Sequence, residues 1–489
     1  MTISATGSTS VGSHQPSLEI ETRVQSWEVI GLAVGIAIYL LVCLLLISEG
    51  VPLGHDEAVY SARARELLLS QPASGWWGVY RAPGLPAFLT LAWIGNGTEP
   101  HLRLVVALFG SALIIFTWVL GRVMIGQRGS LVAAFGLALT PVILTSATQV
   151  WPDIPAAAVG MVALYLYARG LSLERIPWWT VVAVPLFVGL STAIRYGAPI
   201  PLAIGLAGLT MWRLPAGLGS WLRVAVTAAG VGAVVIFTLM TPVFTGAITP
   251  FSALVGLSEG IPLSQGFEDY WRLRSSLIRG PVVLGVIGIV AGVIGSLLDR
   301  ETRRRYLWPL GIGIVTFVAL SASVHGEARY LAPVYPWFWL AAGIGLSTLG
   351  RLGPKRLAVG MALLAIMIYG SLALQLSDDR NRFNEGFTAL RLAASSLDTG
   401  GDCGVLTSYT PQVEWYSGCD TIGIDRTSVV TESPLLPEGP RFLLMVEGGK
   451  RQPAADLLER YLLVTTGEVS TFGSAGQTGS IRIWTLADR

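Results

Sequence analysis

The sequence predicts an α-helical polytopic membrane protein with a small α/β domain at its C-terminal end. Of its 489 residues, 52% are hydrophobic and 13% are charged, whereas soluble domains carry about 25% charged residues. Apolar runs bounded by charged residues recur from residue 29 to residue 374, and such runs are typical of helices that cross a bilayer. The formal net charge of +2 gives no indication of a nucleic-acid partner.

Residues 1–26 are polar and rich in Ser and Thr, which predicts a disordered cytoplasmic tail. No basic segment or small-residue cleavage site precedes the first apolar run, so that run is predicted to be a retained helix rather than a cleaved signal peptide. Residues 27–376 form the predicted transmembrane domain. Its eleven spans are placed at 29–47, 104–120, 131–144, 154–167, 178–192, 198–211, 224–243, 281–298, 307–322, 331–349 and 357–374.

Positive charges decide the predicted orientation of these spans. They recur in the short connections that share one side of the membrane with the N-terminus: Arg122, Arg128, Arg169, Arg175, Arg213, Arg223, Arg300, Arg303, Arg304, Arg305, Arg351, Lys355 and Arg356. The positive-inside rule assigns that side to the cytosol. The long loops 49–103 and 245–279 and the C-terminal domain 377–489 are then predicted to lie outside the plasma membrane, where we expect the chemistry to take place.

The C-terminal domain has a soluble composition and is predicted to be α/β. Runs at 403–408, 441–446 and 480–486 are typical of strands, and runs at 387–396 and 453–461 are typical of helices. An extracytoplasmic compartment favours a disulfide between Cys403 and Cys419, with two free buried thiols as the alternative. Cys43 lies within the first span and is predicted to be a packing residue.

Two adjacent carboxylates, Asp56 and Glu57, follow the predicted outer end of the first span. The segment 58–70 continues from them as a predicted amphipathic helix that lies along the membrane surface and roofs a cavity. Helical spacing places Asp56, Tyr60 and Arg63 along one stripe. In one interpretation the carboxylates only favour the positive end of the helix dipole. In the other, one of them is a general base at the membrane boundary.

Further charged residues are predicted on the same outer face. Arg81 leads a stiff segment with prolines at positions 83 and 86, and it either snorkels to lipid headgroups or holds a phosphate in a fork of hydrogen bonds. Asp153 opens the fourth span, where it is predicted to be the N-cap of that helix, a site residue, or both. Arg195 follows the fifth span and Arg329 follows the ninth, and these arginines fit an anionic ligand that lies partly in lipid.

Two histidines, His55 and His325, are predicted on this outer face as well. They could join a carboxylate in binding a divalent metal. Their spacing is not that of a metal-binding motif, so no metal ligand is assigned and a divalent cofactor is left open.

Together these residues resemble the GT-C superfamily of polytopic glycosyltransferases, and within it the group of protein O-mannosyltransferases and the lipid A aminoarabinose transferase. That group carries an Asp-Glu pair and a Tyr after the first span, a basic residue before a proline-containing stretch, an external Asp before a later span, and an Arg-Tyr pair before a late helix. The resemblance covers about residues 25–375. Its features lie here in segments 56–67 and 81–86, in Asp153 and in Arg329-Tyr330. Two departures are Ala82 where the family has a second proline and Arg81 where it has a lysine.

The resemblance implies an enzyme that transfers a sugar from a polyprenyl-phosphate donor to a hydroxyl of a protein, lipid or glycan acceptor, with inversion at the anomeric carbon. Asp56 would be the base, Glu57 part of the base or its partner, and Asp153 a group that orients the acceptor or the sugar. The other implied site residues surround the donor phosphate and the substrate. They are Arg63, Arg81, Arg195 and Arg329 for the phosphate, and His55, Tyr60, His325 and Tyr330 for the substrate.

Two other classes of protein fit part of the pattern. A transporter or lipid flippase would also have polar residues facing a cavity. Transporters, however, place charges at the bilayer midplane and often contain inverted repeats, whereas these charges cluster at one interface and the sequence contains no visible internal repeat. A membrane scaffold whose C-terminal domain binds a partner does not explain the motif of the first loop.

Overall fold

The computed structural model describes most of the helical region and parts of the C-terminal region, and the structural statements below concern these residues alone. The described residues are 24–69, 81–173, 175–215, 217–241, 249–252, 262, 264–274, 281–298, 300–322, 326–350, 388–397, 403–423, 441–446, 461–464 and 481–488.

Helices make up nearly all of the described N-terminal part of the chain. In order they are α1 (Ser26–Ser48), α2 (His55–Leu69), α3 (Gly84–Leu89), α4 (Glu99–Met124), α5 (Gln127–Ala138), α6 (Pro141–Ala147), α7 (Asp153–Leu171), α8 (Trp178–Ile194), α9 (Pro199–Trp212), α10 (Gly217–Met240), α11 (Gln265–Arg272), α12 (Pro281–Leu298), α13 (Arg300–Ser321) and α14 (Tyr335–Gly350). Two short 3-10 helices, Thr90–Gly95 and Ala328–Leu331, connect them.

Ten of the eleven predicted spans coincide with described helices, and the eleventh, at 357–374, lies outside the described residues. The third span is not a single helix, because α5 and α6 meet at an angle of 58°. Pro141 begins α6; proline lacks a backbone donor and disfavours helical geometry in the residue before it, so the helix breaks there. Among the described helices, α1, α4, α7 and α10 are long and apolar enough to cross a membrane, and the bent pair could add a fifth span.

Helix α7 lies at the centre of the bundle, and α1 and α10 lie at its edge. In α7, 78% of the most apolar window is buried, against 22% in α1 and 6% in α10. The core of α7 is built from small residues between positions 156 and 160, which let neighbouring helices approach closely. It packs against α4, α8 and α9. Its first residue, Asp153, therefore stands where several helices converge.

The C-terminal part is a mixed five-stranded sheet in the order β2-β1-β3-β5-β4. Strand β1 pairs in parallel with β2 and β3, whereas β5 pairs antiparallel with β3 and β4. The predicted strands at 403–408, 441–446 and 480–486 are confirmed, and residues 388–395 form the first predicted helix. The strands are β1 (Gly404–Thr407), β2 (Asp420–Gly423), β3 (Arg441–Val446), β4 (Tyr461–Val464) and β5 (Ile481–Asp488).

Two features of this region were not expected from the sequence. The predicted helix at 453–461 lies outside the described residues except for Tyr461, which begins a strand and not the end of a helix. A short helix, α15 (Thr410–Ser417), lies between β1 and β2 and packs against α2.

Cys403 and Cys419, which flank α15, form the disulfide that was favoured over free thiols. Cys43 is a free, buried residue of α1.

Candidate functional site

The site is built around the first turn of α2. This helix begins at His55, so Asp56 and Glu57 occupy its first turn. Consecutive helical residues are rotated by about 100° around the axis, and the two carboxylates therefore point in different directions. Asp56 faces a cluster of charged groups and is partly exposed, whereas Glu57 is buried against α4. The two halves of the Asp-Glu pair thus have different surroundings.

Asp56 is held between two arginines from distant parts of the chain. Arg81 donates a hydrogen bond of 2.5 Å to its Oδ1, and Arg329 donates one of 2.9 Å to its Oδ2. The Asp56 side chain is 24% exposed. Burial alone would raise the pKa of Asp56, but the charges of Arg81, Arg329 and nearby His55 lower it below its usual value. Asp56 is therefore an ionised carboxylate at neutral pH.

Arg329 connects Asp56 to two further acids. Its guanidinium forms ion pairs with Glu327 at 2.6 Å and, more loosely, with Asp153 at 3.9 Å, and it stacks 4.2 Å from the ring centroid of Trp151. Burial would lower the pKa of Arg329, but these carboxylates raise it overall. The guanidinium is a permanent positive charge that several acceptors share.

Asp153 lies in the charged cluster and does not cap its helix. It is 2% exposed, and its carboxylate forms an ion pair with Arg195. The N-cap position of α7 belongs to Pro152, and no side chain caps the helix, so the interpretation of Asp153 as an N-cap was wrong. Arg195 in turn lies 4.4 Å from the ring centroid of Tyr330. This ring, on which Arg329 also lies at 5.4 Å, joins the two halves of the charged cluster.

Glu57 fixes the start of α2 to the rest of the bundle. Its Oε1 accepts hydrogen bonds from Arg103 Nε at 3.2 Å and from the backbone N–H of Val150 at 2.9 Å. Its Oε2 accepts from Arg103 Nη2 at 3.3 Å and from the backbone N–H of Gly54 at 2.9 Å. Arg103 also donates to the carbonyl of Val51. Because both oxygens of this buried carboxylate are occupied, the geometry fits a positioning role and not that of a base.

The remaining predicted residues have varied positions. Tyr60 is buried, and Arg81 lies 5.9 Å from its ring centroid, so it belongs to the Asp56 side of the cluster. His55 is exposed at the start of α2. Arg63 is buried two turns further along α2 and pairs with Glu66 at 2.5 Å, so the structure does not bring it into the cluster. His325 lies outside the described residues.

Two residues next to the charged cluster, Arg103 and Tyr270, were not predicted from the sequence. Arg103, the partner of Glu57, sits in the first turns of an apolar helix and resembles an ordinary flanking arginine. Tyr270 lies on α11, within the second long loop; it is buried, and its hydroxyl has no hydrogen-bond partner among the described residues. Its hydroxyl senses the charges of Arg195 and Asp153, although burial dominates in raising its pKa. A strong amphipathic pattern in loop 245–279 was the one available signal.

An apolar groove leads away from the charged cluster. Its cavity volume is about 30 Å³, and it runs between α7, α9 and α14. Asp153 and Arg195 lie at its polar end, and its walls are formed by apolar side chains, among them Met161, Leu164, Leu202, Leu320 and Trp337. A ligand with a charged head and a hydrocarbon tail matches this distribution of polarity.

The described residues contain no group of three or more His, Cys, Asp or Glu side chains arranged to hold a metal ion. Asp56 and Asp153 each face arginines, and a guanidinium between two carboxylates supplies the charge that a cation would otherwise supply. Among the described residues, the arginines therefore compensate the charges of both carboxylates.

Comparison with known proteins identifies the fold. Residues 81–246 match the family model described as dolichyl-phosphate-mannose-protein mannosyltransferase. The matched segment includes Arg81, Asp153 and Arg195 and begins after Asp56 and Glu57. No curated protein matches the chain by sequence.

Solved structures match over most of the chain. ArnT from Cupriavidus metallidurans bound to undecaprenyl phosphate matches with a TM-score of 0.66 and 15% identity, over 93% of this chain and 97% of that chain. The oligosaccharyltransferase AglB from Archaeoglobus fulgidus, in complex with an inhibitory peptide and a dolichol-phosphate, matches with a TM-score of 0.51 and 16% identity over 81% and 64%. Its complex with Zn and sulfate gives 0.50 and 16% over 80% and 62%. The predicted fold class and the resemblance to GT-C glycosyltransferases are confirmed.

Proposed function

We propose that this protein is a membrane glycosyltransferase that transfers a sugar from a polyprenyl-phosphate donor to an acceptor hydroxyl on the extracytoplasmic face. The observation that carries the proposal is the position of Asp56. Its carboxylate lies between Arg81 and Arg329, and Arg329 links it to Asp153 at the polar end of an apolar groove. A candidate base, two arginines that could bind a phosphate and an apolar groove then share one region.

The groove and the arginines fit the two ends of such a donor. The isoprenoid tail would lie against the apolar walls near Leu164 and Trp337, and the phosphate would meet Arg195 at the polar end. Planar guanidinium groups bind phosphate oxygens through paired hydrogen bonds. The matched ArnT structure was solved with undecaprenyl phosphate and the matched AglB structure with a dolichol-phosphate, which supports this class of ligand.

The charges of the site explain why the donor phosphate would alter it. The cluster contains three acids and three arginines: Asp56, Asp153, Glu327, Arg81, Arg195 and Arg329. They balance one another in the absence of a ligand. A donor phosphodiester brings one more negative charge, so it must take guanidinium hydrogen bonds from the carboxylates. We expect Arg81 and Arg329 to turn partly from Asp56 to the phosphate, which would return Asp56 towards its usual basicity.

The chemistry is a single displacement. Asp56 accepts the proton of the acceptor hydroxyl as the oxygen attacks the anomeric carbon. The bond from that carbon to the phosphate oxygen breaks, and its electron pair leaves with the polyprenyl phosphate. The new phosphomonoester carries a charge of about −1.5 to −2 at neutral pH, so the arginines bind the leaving group more strongly as the reaction proceeds. Attack opposite the leaving group inverts the anomeric configuration.

Other residues of the site hold the reacting groups in place. The side chain of Asp153 is buried. Its carboxylate would orient a sugar or acceptor hydroxyl beside Arg195. Tyr330 packs against Arg195 and Arg329 and so keeps both guanidinium planes in position. The hydroxyl of Tyr270 has no hydrogen-bond partner among the described residues, and it would donate a hydrogen bond to the sugar or the phosphate. Glu57 holds the turn on which Asp56 stands.

A divalent metal stays an open part of this proposal. One matched Archaeoglobus structure is a complex with Zn and sulfate. Here His55 and Asp56 are adjacent, and a metal at Asp56 would have to displace Arg81 or Arg329. Turnover measured with EDTA and then with added Mn²⁺ or Mg²⁺ decides whether such a metal takes part.

The experiment that tests the proposal uses purified protein in nanodiscs and a panel of synthetic polyprenyl-phosphate sugars. Mass spectrometry measures the release of free polyprenyl phosphate by the wild type and by Asp56→Asn. Release by the wild type alone supports both the donor class and the role of Asp56. If neither protein releases product with a mixed protein, lipid and glycan acceptor pool, the proposal fails; transbilayer movement of the same lipids in proteoliposomes would then favour the flippase.

A further inference from the structure

Helix α15 of the C-terminal domain runs against α2 and contacts it at both ends. The hydroxyl of Tyr416 accepts a hydrogen bond of 2.8 Å from the backbone N–H of Leu53, three residues before Asp56. Further along α2, Arg65 donates to the carbonyls of Glu414 and Trp415 at 3.0 and 3.2 Å. Helix α15 therefore holds α2 at two points that lie about three turns apart.

The same contacts extend to the segment between α1 and α2. The side chain of Glu99, the first residue of α4, also interacts with the Tyr416 hydroxyl. Arg391, from the helical segment at 388–395, donates to the carbonyl of Gly50 at 3.3 Å and lies 4.0 Å from Glu99. Residues 50–54 have no regular secondary structure. The hydrogen bonds from Tyr416 and Arg391 therefore hold the backbone of this segment in place.

The side chains of α15 pack against two different hydrophobic cores. Val413 is fully buried in the core of the C-terminal domain, together with Cys403 and Cys419. Trp415 faces the helical domain, where its ring lies 6.4 Å from that of Trp93, and Tyr416 packs against both cores. The disulfide closes the chain on both sides of α15, and so limits how far the helix can turn relative to the sheet.

We propose that Tyr416 is a positioning residue, through which the C-terminal domain sets the start of α2 and hence the aim of Asp56. This inference rests on the proposed function, because the direction of the Asp56 carboxylate matters for turnover only if Asp56 is the base. Glu57 and Arg103 fix this turn from within the bundle, whereas Tyr416 fixes it from outside. A carboxylate that must meet both Arg81 and Arg329 tolerates little displacement, and a shift of about 1 Å in a reacting group can cost a hundredfold in rate.

The test compares Tyr416→Phe with the matched variant Tyr409→Phe. Both tyrosines pack against the core of the C-terminal domain, but Tyr416 alone of the two also packs against the core of the helical domain. Hydrogen–deuterium exchange of peptides covering residues 50–58 should accelerate about tenfold in Tyr416→Phe, the factor that a hydrogen bond of ordinary strength carries, and should not change in Tyr409→Phe. The catalytic constant should fall about tenfold or more, while the stoichiometry and Kd for polyprenyl phosphate stay as in the wild type. A general loss of folded protein would instead lower the binding stoichiometry.

Each result bears on a separate claim. Unchanged exchange at 50–58, or an equal loss of turnover in Tyr409→Phe, overturns the positioning role even if the wild type transfers sugar. The exchange measurement needs no substrate, so it still tests the contact if the proposed function fails. The double variant Cys403→Ser and Cys419→Ser is expected to reproduce the faster exchange at 50–58 to a smaller extent. Slower or unchanged exchange at residues 50–58 in this double variant would show that the disulfide does not help to position α2.

Discussion

The substitution Asp56→Asn should make the site bind phosphate more tightly while it abolishes most turnover. In the structure Arg81 and Arg329 each donate to one oxygen of Asp56. A ligand phosphate must compete for these donors. An asparagine has no charge and offers one acceptor oxygen, so both guanidinium groups become more available to the ligand. The same change removes the group that accepts the acceptor's proton.

The size of both effects follows from the surroundings of Asp56. Its side chain is 24% exposed, that of Arg81 is 33% exposed and that of Arg329 is 10% exposed. Ion pairs with this much solvent contact contribute roughly 0.5–1 kcal/mol each. Releasing two of them offers about 1–2 kcal/mol to the ligand, which corresponds to a Kd that is about 5- to 30-fold lower. Loss of a general base lowers turnover by roughly 10²- to 10⁴-fold.

Binding of polyprenyl phosphate to protein in nanodiscs would be measured by calorimetry, and turnover by release of the lipid phosphate. Glu327→Gln is the matched control, because Glu327 also pairs with Arg329 but does not contact Asp56 in the described structure. It should tighten binding slightly and keep turnover within about tenfold of the wild type. Equal or weaker phosphate binding by Asp56→Asn would refute the competition. Near-normal turnover would remove Asp56 as the base.

Three further predictions concern stability, substrate contact and pH. Glu57→Gln should lower the free energy of unfolding by about 3 kcal/mol, because it breaks a buried pair with Arg103; thermal unfolding measures this. Tyr270→Phe should raise the KM for the donor about three- to tenfold at nearly unchanged stability, since a buried hydroxyl without a partner is removed. The acidic limb of kcat/KM should lie below the usual pKa of an aspartate, because the charges of Arg81 and Arg329 lower the pKa of Asp56 despite its burial. Arg81→Met should move the limb upwards, since one of the charges that lower this pKa is lost.

Opposite results would change the assignment of each residue. A Glu57→Gln variant with wild-type thermal stability and no turnover would make Glu57 part of the chemistry. An unchanged KM in Tyr270→Phe would leave α11 a purely structural element. An acidic limb that does not move in Arg81→Met would show that another group than Asp56 titrates in that limb.

The sequence determined the helical architecture because each span carries its own signal. A run of apolar residues in a bilayer folds as a helix because its backbone groups must hydrogen-bond to one another, whichever helices lie beside it. Ten predicted spans were therefore confirmed as helices. The break in the third span was also encoded locally, by Pro141. The strands β1, β3 and β5 followed for a similar reason, since their apolar runs are short and bounded by turn residues.

Only the tertiary structure decided what each charged residue does. Asp56 and Glu57 are neighbours with the same chemistry, and the sequence did not separate a partly exposed carboxylate between two arginines from a buried one with four donors. Arg63 shares a helical stripe with Asp56 but pairs with Glu66 instead. Helical spacing fixes the direction of a side chain and not the partner it meets.

The partners themselves come from far along the chain. Arg329 reaches Asp56 across 273 positions, and Tyr416 reaches Leu53 across 363. Such contacts form because the 3-10 helix Ala328–Leu331 packs against α7 and α15 packs against α2. No local pattern of residues records that packing. The sequence by itself determined a membrane fold with acids and arginines at one face; the structure decided which acid meets which arginine, since side-chain pairing depends on distances that only the folded chain defines.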